Sequence, residues 1–167
     1  MGEAGGSMTS AEVGGFVVTC DPARIDRARV HEMIQSTYWA EGIPREVMDR
    51  AVENSLVFGV VDVRGAPERL VGVARVMSDY ATFAYLADVF IEPECRGNGL
   101  SVRLMEFILA HPELQGLRRF CLLTRDAHGL YEKFGFANRT DGGRGYMEIA
   151  RPGMYLAGAK PTKGEPA

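Results

Sequence analysis

The sequence predicts an α/β (α+β) single domain in which a central, mostly antiparallel, twisted sheet is flanked by helices. Three observations point there. Apolar patterns follow one another in the order strand, two helices, three strands, helix, strand, helix, strand. The three middle strand-like runs are joined by short, turn-rich links, which suit antiparallel hairpins. A chain of 167 residues with 46% hydrophobic and 25% charged side chains has the size and balance of one globular core.

Residues 1–15 are small and polar, without the charged start and apolar stretch of a signal peptide, and read as a flexible leader. The opening Met1-Gly2 does not make a myristoylation motif, because Gly6 stands where Ser or Thr is required. Residues 16–20 are a β-branched and aromatic strand run. Asp21-Pro22 then offers a helix cap followed by proline, so a helix is expected next. Its apolar positions Val30, Met33, Ile34 and Thr37 keep helical spacing, with Arg27, Arg29, Glu32 and Gln35 on the other side. Tyr38-Trp39-Ala40-Glu41-Gly42-Ile43 interrupts the pattern, and Pro44 opens a second helix running to about Ala51 or Val52.

Strand runs at residues 56–63, 70–77 and 83–91 are separated by Arg64-Gly65-Ala66-Pro67 and by Ser78-Asp79. Leu100, Leu104, Phe107 and Ile108 make one face of a helix that stops near His111-Pro112. Residues 119–124 read as a buried strand, 127–134 as a short helix and 145–150 as a last strand. The folded domain therefore spans 16–150, and 151–167 form a C-terminal tail, loose from 159 onward.

Composition narrows the function. With 19 basic and 22 acidic residues spread along the chain and a net charge of -3, there is no electrostatic footprint for nucleic acid. No apolar run approaches the ~20 residues of a membrane span. Cys20, Cys95 and Cys121 are odd in number and lack Cys-x-x-Cys spacing, which fits a reducing, cytoplasmic setting. His111 and His128 have no metal-ligand spacing, so no metal is expected.

The chemistry concentrates in Val89-Phe90-Ile91-Glu92-Pro93-Glu94-Cys95-Arg96-Gly97-Asn98-Gly99-Leu100-Ser101. A strand passes through a glycine-rich turn into an amphipathic helix. Glycines let backbone N–H groups approach a phosphate, and the helix start adds unpaired donors and partial positive charge. Asn98-Gly99 is also a hairpin-turn signal, but a hairpin needs a strand where the pattern gives a helix. A P-loop hydrolase is excluded, because no Gly-Lys-Ser/Thr follows the glycines.

Here the sequence resembles the GNAT superfamily of acyl-CoA-dependent N-acetyltransferases. Arg96-Gly97-Asn98-Gly99-Leu100-Ser101 matches the family signature Gln/Arg-x-x-Gly-x-Gly/Ala except for Ser101 at its last position. Ala127-His128-Gly129-Leu130-Tyr131-Glu132-Lys133-Phe134-Gly135-Phe136 matches a second signature, and the two stand in the family's order. The resemblance covers residues 16–150 and implies a sheet with one splayed parallel strand pair, 83–91 beside 119–124, that admits the cofactor arm. It implies acetyl-CoA as co-substrate, with Val89, Phe90 and Ile91 on the strand that pairs with the pantetheine. Arg96, Gly97, Asn98, Gly99, Leu100 and Ser101 would then lie around the diphosphate. Thr124 stands where many relatives carry an Asn that helps bind the cofactor, and Tyr131 matches the tyrosine that protonates the departing thiolate.

Several relatives take their general base from a glutamate at the position of Ala87, so the base is not identified. Strand alternation turns the neighbouring Asp88 to the opposite face, where a hydrogen bond to a nearby loop is the expected role. The family builds one wall of the acceptor site from the linker between its first two helices. In this chain that linker holds Tyr38, the only tryptophan, Trp39, and Glu41, a set suited to a cationic amine. Asp79, Tyr80 and Thr82, between two strands, are further acceptor-side candidates. The expected partner is a small-molecule amine, with no nucleic acid or membrane, and a homodimer is admitted. A peptide acceptor and a non-catalytic acyl-CoA-sensing module are the alternatives.

Overall fold

The computed structural model describes residues 10–138, 155 and 156. The chain begins with a hairpin of β1 (Ser10–Val13) and β2 (Phe16–Thr19) around Gly14-Gly15, whose φ angles of 56° and 80° only glycine adopts cheaply. This corrects the expectation of a leader over 1–15. Ser10 to Val13 carry little apolar surface, so no strand pattern was visible, yet the Gly-Gly turn returns them onto β2 in the register Ser10↔Thr19 to Val13↔Phe16.

The first helix also starts later than Asp21-Pro22 implied. The Asp21 carboxylate accepts from the Ala23 amide and caps only a 3-10 turn, Pro22–Arg24. Asp26 then caps α1 (Arg27–Gln35), accepting from the amides of Ala28 and Arg29. Val30, Met33 and Ile34 are buried as their spacing predicted. Pro44 is the cap of α2 (Arg45–Glu53) rather than its first residue.

The core follows as β3 (Leu56–Asp62), β4 (Arg69–Ser78), β5 (Phe83–Ile91), α3 (Leu100–Leu109), β6 (Arg119–Leu122) and α4 (His128–Tyr131), which continues into a 3-10 turn, Glu132–Phe134. The strand expected at 145–150 lies outside the described residues, as does the tail apart from Tyr155 and Leu156.

Among the described residues the sheet runs β1-β2-β3-β4-β5-β6, antiparallel except for the parallel pair β5 and β6. Helices cover both faces. On one, α1 and α2 place Val30, Met33, Ile34, Met48 and Val52 against Val61, Leu70 and Val73. On the other, α3 buries Leu100, Leu104, Met105, Phe107 and Ile108 against Phe58, Val60, Val71, Val76 and Leu86. Each such side chain contributes about 1.5–3 kcal/mol of burial, which fixes α3 and so the turn that precedes it. At Gly72 a Cβ would lie 2.5 Å from Ile91 Cδ1 and 3.1 Å from the Phe90 carbonyl, so a larger residue would have to displace the Ile91 side chain and crowd the end of β5 against β4.

Candidate active site

The site begins with a fault in β5. Val73 pairs with Phe90 and Arg75 with Ala87, so Ala74 faces two residues, Asp88 and Val89, across a β-bulge. Asp88 takes φ 54°, a left-handed conformation that Asp tolerates better than most residues. On its other side β5 pairs with β6 only from Phe83↔Arg119 to Leu86↔Leu122. Beyond that the strands part. The opening is a cleft of about 910 Å³ lined by residues 85–91, by Leu122, Leu123 and Thr124 after the last pair, and by Tyr131. Val89, Phe90 and Ile91 all line it.

The glycine-rich turn stands at one end of the cleft, where Arg96 and Ser101 enter its wall. Gly97 and Gly99 have φ of 80° and 71°, and a Cβ at either would meet nothing within 4 Å. Gly99 caps α3 without a side-chain hydrogen bond, leaving the first-turn amides of a buried ten-residue helix to another acceptor. The turn is braced from within: Arg96 Nε donates to the Ile91 carbonyl at 2.9 Å, and Asn98 Nδ2 donates to the Cys95 carbonyl at 2.9 Å. Leu100 is buried in the core and offers the turn only its backbone.

Tyr131 is 8% exposed, packs edge-on against Phe136 with ring centroids 6.0 Å apart, and still reaches the cleft. Burial pushes its hydroxyl up to about 12, with smaller contributions from Tyr38 and Asp126. It is therefore a neutral O–H donor at any ordinary pH. Burial also raises the thiols of Cys20, Cys95 and Cys121, and none of them lines the cleft.

The acetyltransferase (GNAT) family matches residues 27–136, which contain both motifs, the bulge and the cleft. The chain belongs to that family. It is an acetyl-CoA-dependent N-acetyltransferase, which sets aside the sensing-module alternative. A Xanthomonas campestris pv. campestris protein belonging to the GNAT family is 46% identical, with a TM-score of 0.77 over 84% of this chain and 96% of that one. Serotonin N-acetyltransferase 2, chloroplastic, of Oryza sativa subsp. japonica is 31% identical over 136 residues, 78% of this chain and 66% of its own. A GNAT family acetyltransferase from Elizabethkingia anophelis with acetyl-CoA bound, 9% identical over 75% of this chain and 78% of that one, has a TM-score of 0.55 and shares the fold.

On the acceptor side of this acetyltransferase, the expected residues divide. Tyr38 and Trp39 line the cleft, half exposed and packed edge-to-face with centroids 4.9 Å apart. Glu41 does not line it. Ala40 is buried, so the tight turn of the linker sends Glu41 outward to solvent. Asp79 and Tyr80 do not line it either, because they form the β4–β5 turn at the end of β5 remote from the glycines. The Asp79 carboxylate is spent there: it accepts from the Thr82 hydroxyl and from the amides of Thr82, Phe83 and Ala81, which hold its pKa well below the usual carboxylate range. Thr124 lines the cleft while its hydroxyl accepts from the Ala127 amide, shaping the start of α4.

Sequence reasoning missed three contributors. Arg75, nearly buried, donates through Nε to Asp88 Oδ2 at 2.6 Å. Arg125, on the wall opposite Tyr38, places its guanidinium carbon 3.7 Å from the Tyr38 ring centroid. Glu92, buried at the root of the glycine-rich turn, pairs with Arg29 of α1 and, at 3.0 Å, with Arg69 of β4. An arginine inside a strand run and an acid before Pro93 were the only available signals, and their partners lie 13 to 63 residues away. Among the described residues, no group of three or more His, Cys, Asp or Glu side chains is placed to hold a metal, and no helix is long and apolar enough to cross a membrane.

Proposed function

We propose that this acetyltransferase passes the acetyl group of acetyl-CoA directly to the primary amine of a small molecule, with Tyr131 as general acid. The observation that carries the proposal is the position of Tyr131: buried, protonated, and facing the cleft just where β5 leaves β6. The pantetheine arm pairs with the freed backbone edge of residues 87–91, and the diphosphate rests on the amides around Gly97, Gly99 and Ser101 beside Arg96. The amine nitrogen attacks the thioester carbonyl and a C–N bond forms. As the C–S bond breaks, the thiolate takes the Tyr131 proton, and the tyrosine recovers one from the amine nitrogen through water. With all three thiols outside the cleft and raised by partial or full burial, direct attack is favoured over an acyl-enzyme.

The amine must arrive neutral. Asp88, the carboxylate nearest the expected base position, has both oxygens engaged by donors, and Ala87 has no basic group. Removing a proton from an amine of pKa ~10.4 at pH 7 costs about 4–5 kcal/mol, and solvent at the cleft mouth takes it. A small acceptor is supported by the aromatic Tyr38–Trp39 wall and by the rice relative, whose name gives serotonin as its substrate.

The test is Tyr131→Phe, which keeps the ring and its packing. General acid catalysis is worth about 10² to 10⁴, and a thiol leaving group of pKa near ~8.5 sets the lower end, so kcat should fall about 10²-fold with acetyl-CoA affinity unchanged. In the wild type, kcat/KM for the amine should rise about tenfold per pH unit from 7 to 9, as the neutral amine accumulates, with no alkaline fall because Tyr131 keeps its proton to about 12. Wild-type turnover in Tyr131→Phe would return the residue to a packing role.

A further inference from the structure

We propose that Asp88 is a positioning residue for the acceptor wall: the bulge turns its carboxylate over so that it holds the Trp39 indole against the cleft. In a regular strand Asp88 would point away from Ala87's neighbours on the cleft side and take no part in the wall. With φ 54° and two residues opposed to Ala74, its side chain instead lies beneath the α1–α2 linker, only 8% exposed. Each oxygen then has one strong donor. Arg75 Nε donates to Oδ2 at 2.6 Å, and Trp39 Nε1 donates to Oδ1 at 3.0 Å.

The anchor extends further through Arg75. Its Nη1 donates to the Ser55 hydroxyl at 2.7 Å and to the Ala51 carbonyl at 3.2 Å, at the C-terminal end of α2. One carboxylate thus ties β4, the end of α2 and the acceptor linker to the point where β5 splays. Trp39 needs such a tie, because it is 45% exposed and its aromatic neighbour Tyr38 is 50% exposed, so packing alone does not fix the indole. The Arg75 charge also neutralises Asp88, so the wall offers an incoming amine an indole face with a pinned N–H edge rather than a bare carboxylate. The bulge therefore does two jobs at once: it frees backbone for the cofactor and supplies the peg on which the acceptor wall hangs.

This inference rests on Trp39 forming the acceptor wall, and the experiment separates the two. Trp39 is the only tryptophan, so its emission and its acrylamide quenching report on the linker alone and need no acceptor. Kinetics use the best of three probe acceptors: tryptamine, putrescine and a lysine-containing peptide. In Asp88→Asn the quenching constant should rise about twofold or more. The acceptor KM should rise about tenfold, the scale of a lost charge-assisted hydrogen bond, with acetyl-CoA KM unchanged. Trp39→Phe, which removes the N–H but leaves the Arg75–Asp88 pair, should raise acceptor KM similarly, and the double variant should be no worse than either single one. Wild-type quenching and acceptor KM in Asp88→Asn, or effects that multiply in the double variant, would overturn the proposal. If Asp88→Asn does not fold, an unchanged acceptor KM in Trp39→Phe overturns it alone. An unchanged acceptor KM in Trp39→Ala removes the wall itself, whereas a raised one beside an inert Asp88→Asn removes only the role of Asp88.

Discussion

The two halves of β5 are made of the same kinds of residue and do different work. Ala84 to Leu86 pair with β4 on one side and β6 on the other, and Ala84 and Leu86 are buried to within 2% of fully. Among the described residues, 87–91 pair with β4 alone and carry the bulge at Asp88, and all five line the cleft, which Tyr85 and Leu86 also reach. Composition does not separate the halves, since valine, phenylalanine and isoleucine fill the open one. What separates them is whether the backbone N–H and C=O groups on the β6 side are taken by a neighbouring strand or left to a ligand, because such groups are rarely left unmet inside a protein. A parallel pair that runs for four residues and then parts gives rigidity below and receptivity above within one strand.

The largest effect that sharpens this contrast is on the paired half. Leu86→Ala removes a side chain that is only 2% exposed although it lines the cleft, and should cost about 2–5 kcal/mol of stability by denaturant unfolding, while the folded fraction loses far less acetyl-CoA affinity than it does when the glycine-rich turn is changed. Loss of affinity in parallel with stability would mean that the halves are not separable. Next comes the turn that serves the open half. Acetyl-CoA at about 100 times its Kd should stabilise the wild type by about 2.7 kcal/mol, seen as a thermal shift, and Gly99→Asp should abolish the shift. A Cβ at Gly99 meets no protein atom, so the substitution acts through its φ of 71° and its charge at the phosphate position, and full binding by the variant would misplace the cradle. The smallest effect is at Glu41, which points to solvent outside the cleft: Glu41→Ala should leave acceptor and acetyl-CoA KM within about twofold, in the range of ordinary surface changes. A large rise in acceptor KM would bring the linker's carboxylate back into the site.

Much of this was legible in the chain and some was not, for reasons that differ by residue. The helical spacing of Val30, Met33 and Ile34, and of Leu100, Leu104, Phe107 and Ile108, reports burial directly, so α1 and α3 were readable as amphipathic elements. The strands at the centre of the sheet were readable because short links leave few ways to pair them. The β1 strand was not, since Ser10 to Val13 gain their structure from β2 and a Gly-Gly turn rather than from their own apolar pattern. Asp88 shows the same limit at the site. Alternation placed it on the face opposite Ala87, which the bulge overturns by bringing Asp88 into the cleft wall, while the expected bond to a neighbouring loop is present as the bond from Trp39. The bulge that rotates it and the arginine that holds it depend on register between β4 and β5, which no local pattern encodes. Glu41 failed in the opposite way, being adjacent in sequence to a lining residue but turned outward by a buried Ala40 between them.

Amide hydrogen exchange with and without coenzyme A tests the central claim most directly, because it reads the two halves of β5 in one experiment. Amides in residues 87–91 and in the turn from Arg96 to Ser101 should slow markedly on binding, while those from Ala84 to Leu86, already held between two strands, should change little. Protection confined to the paired half, or absent from residues 87–91 under saturating coenzyme A, would contradict the account of the splayed strand as the acetyl-CoA binding edge.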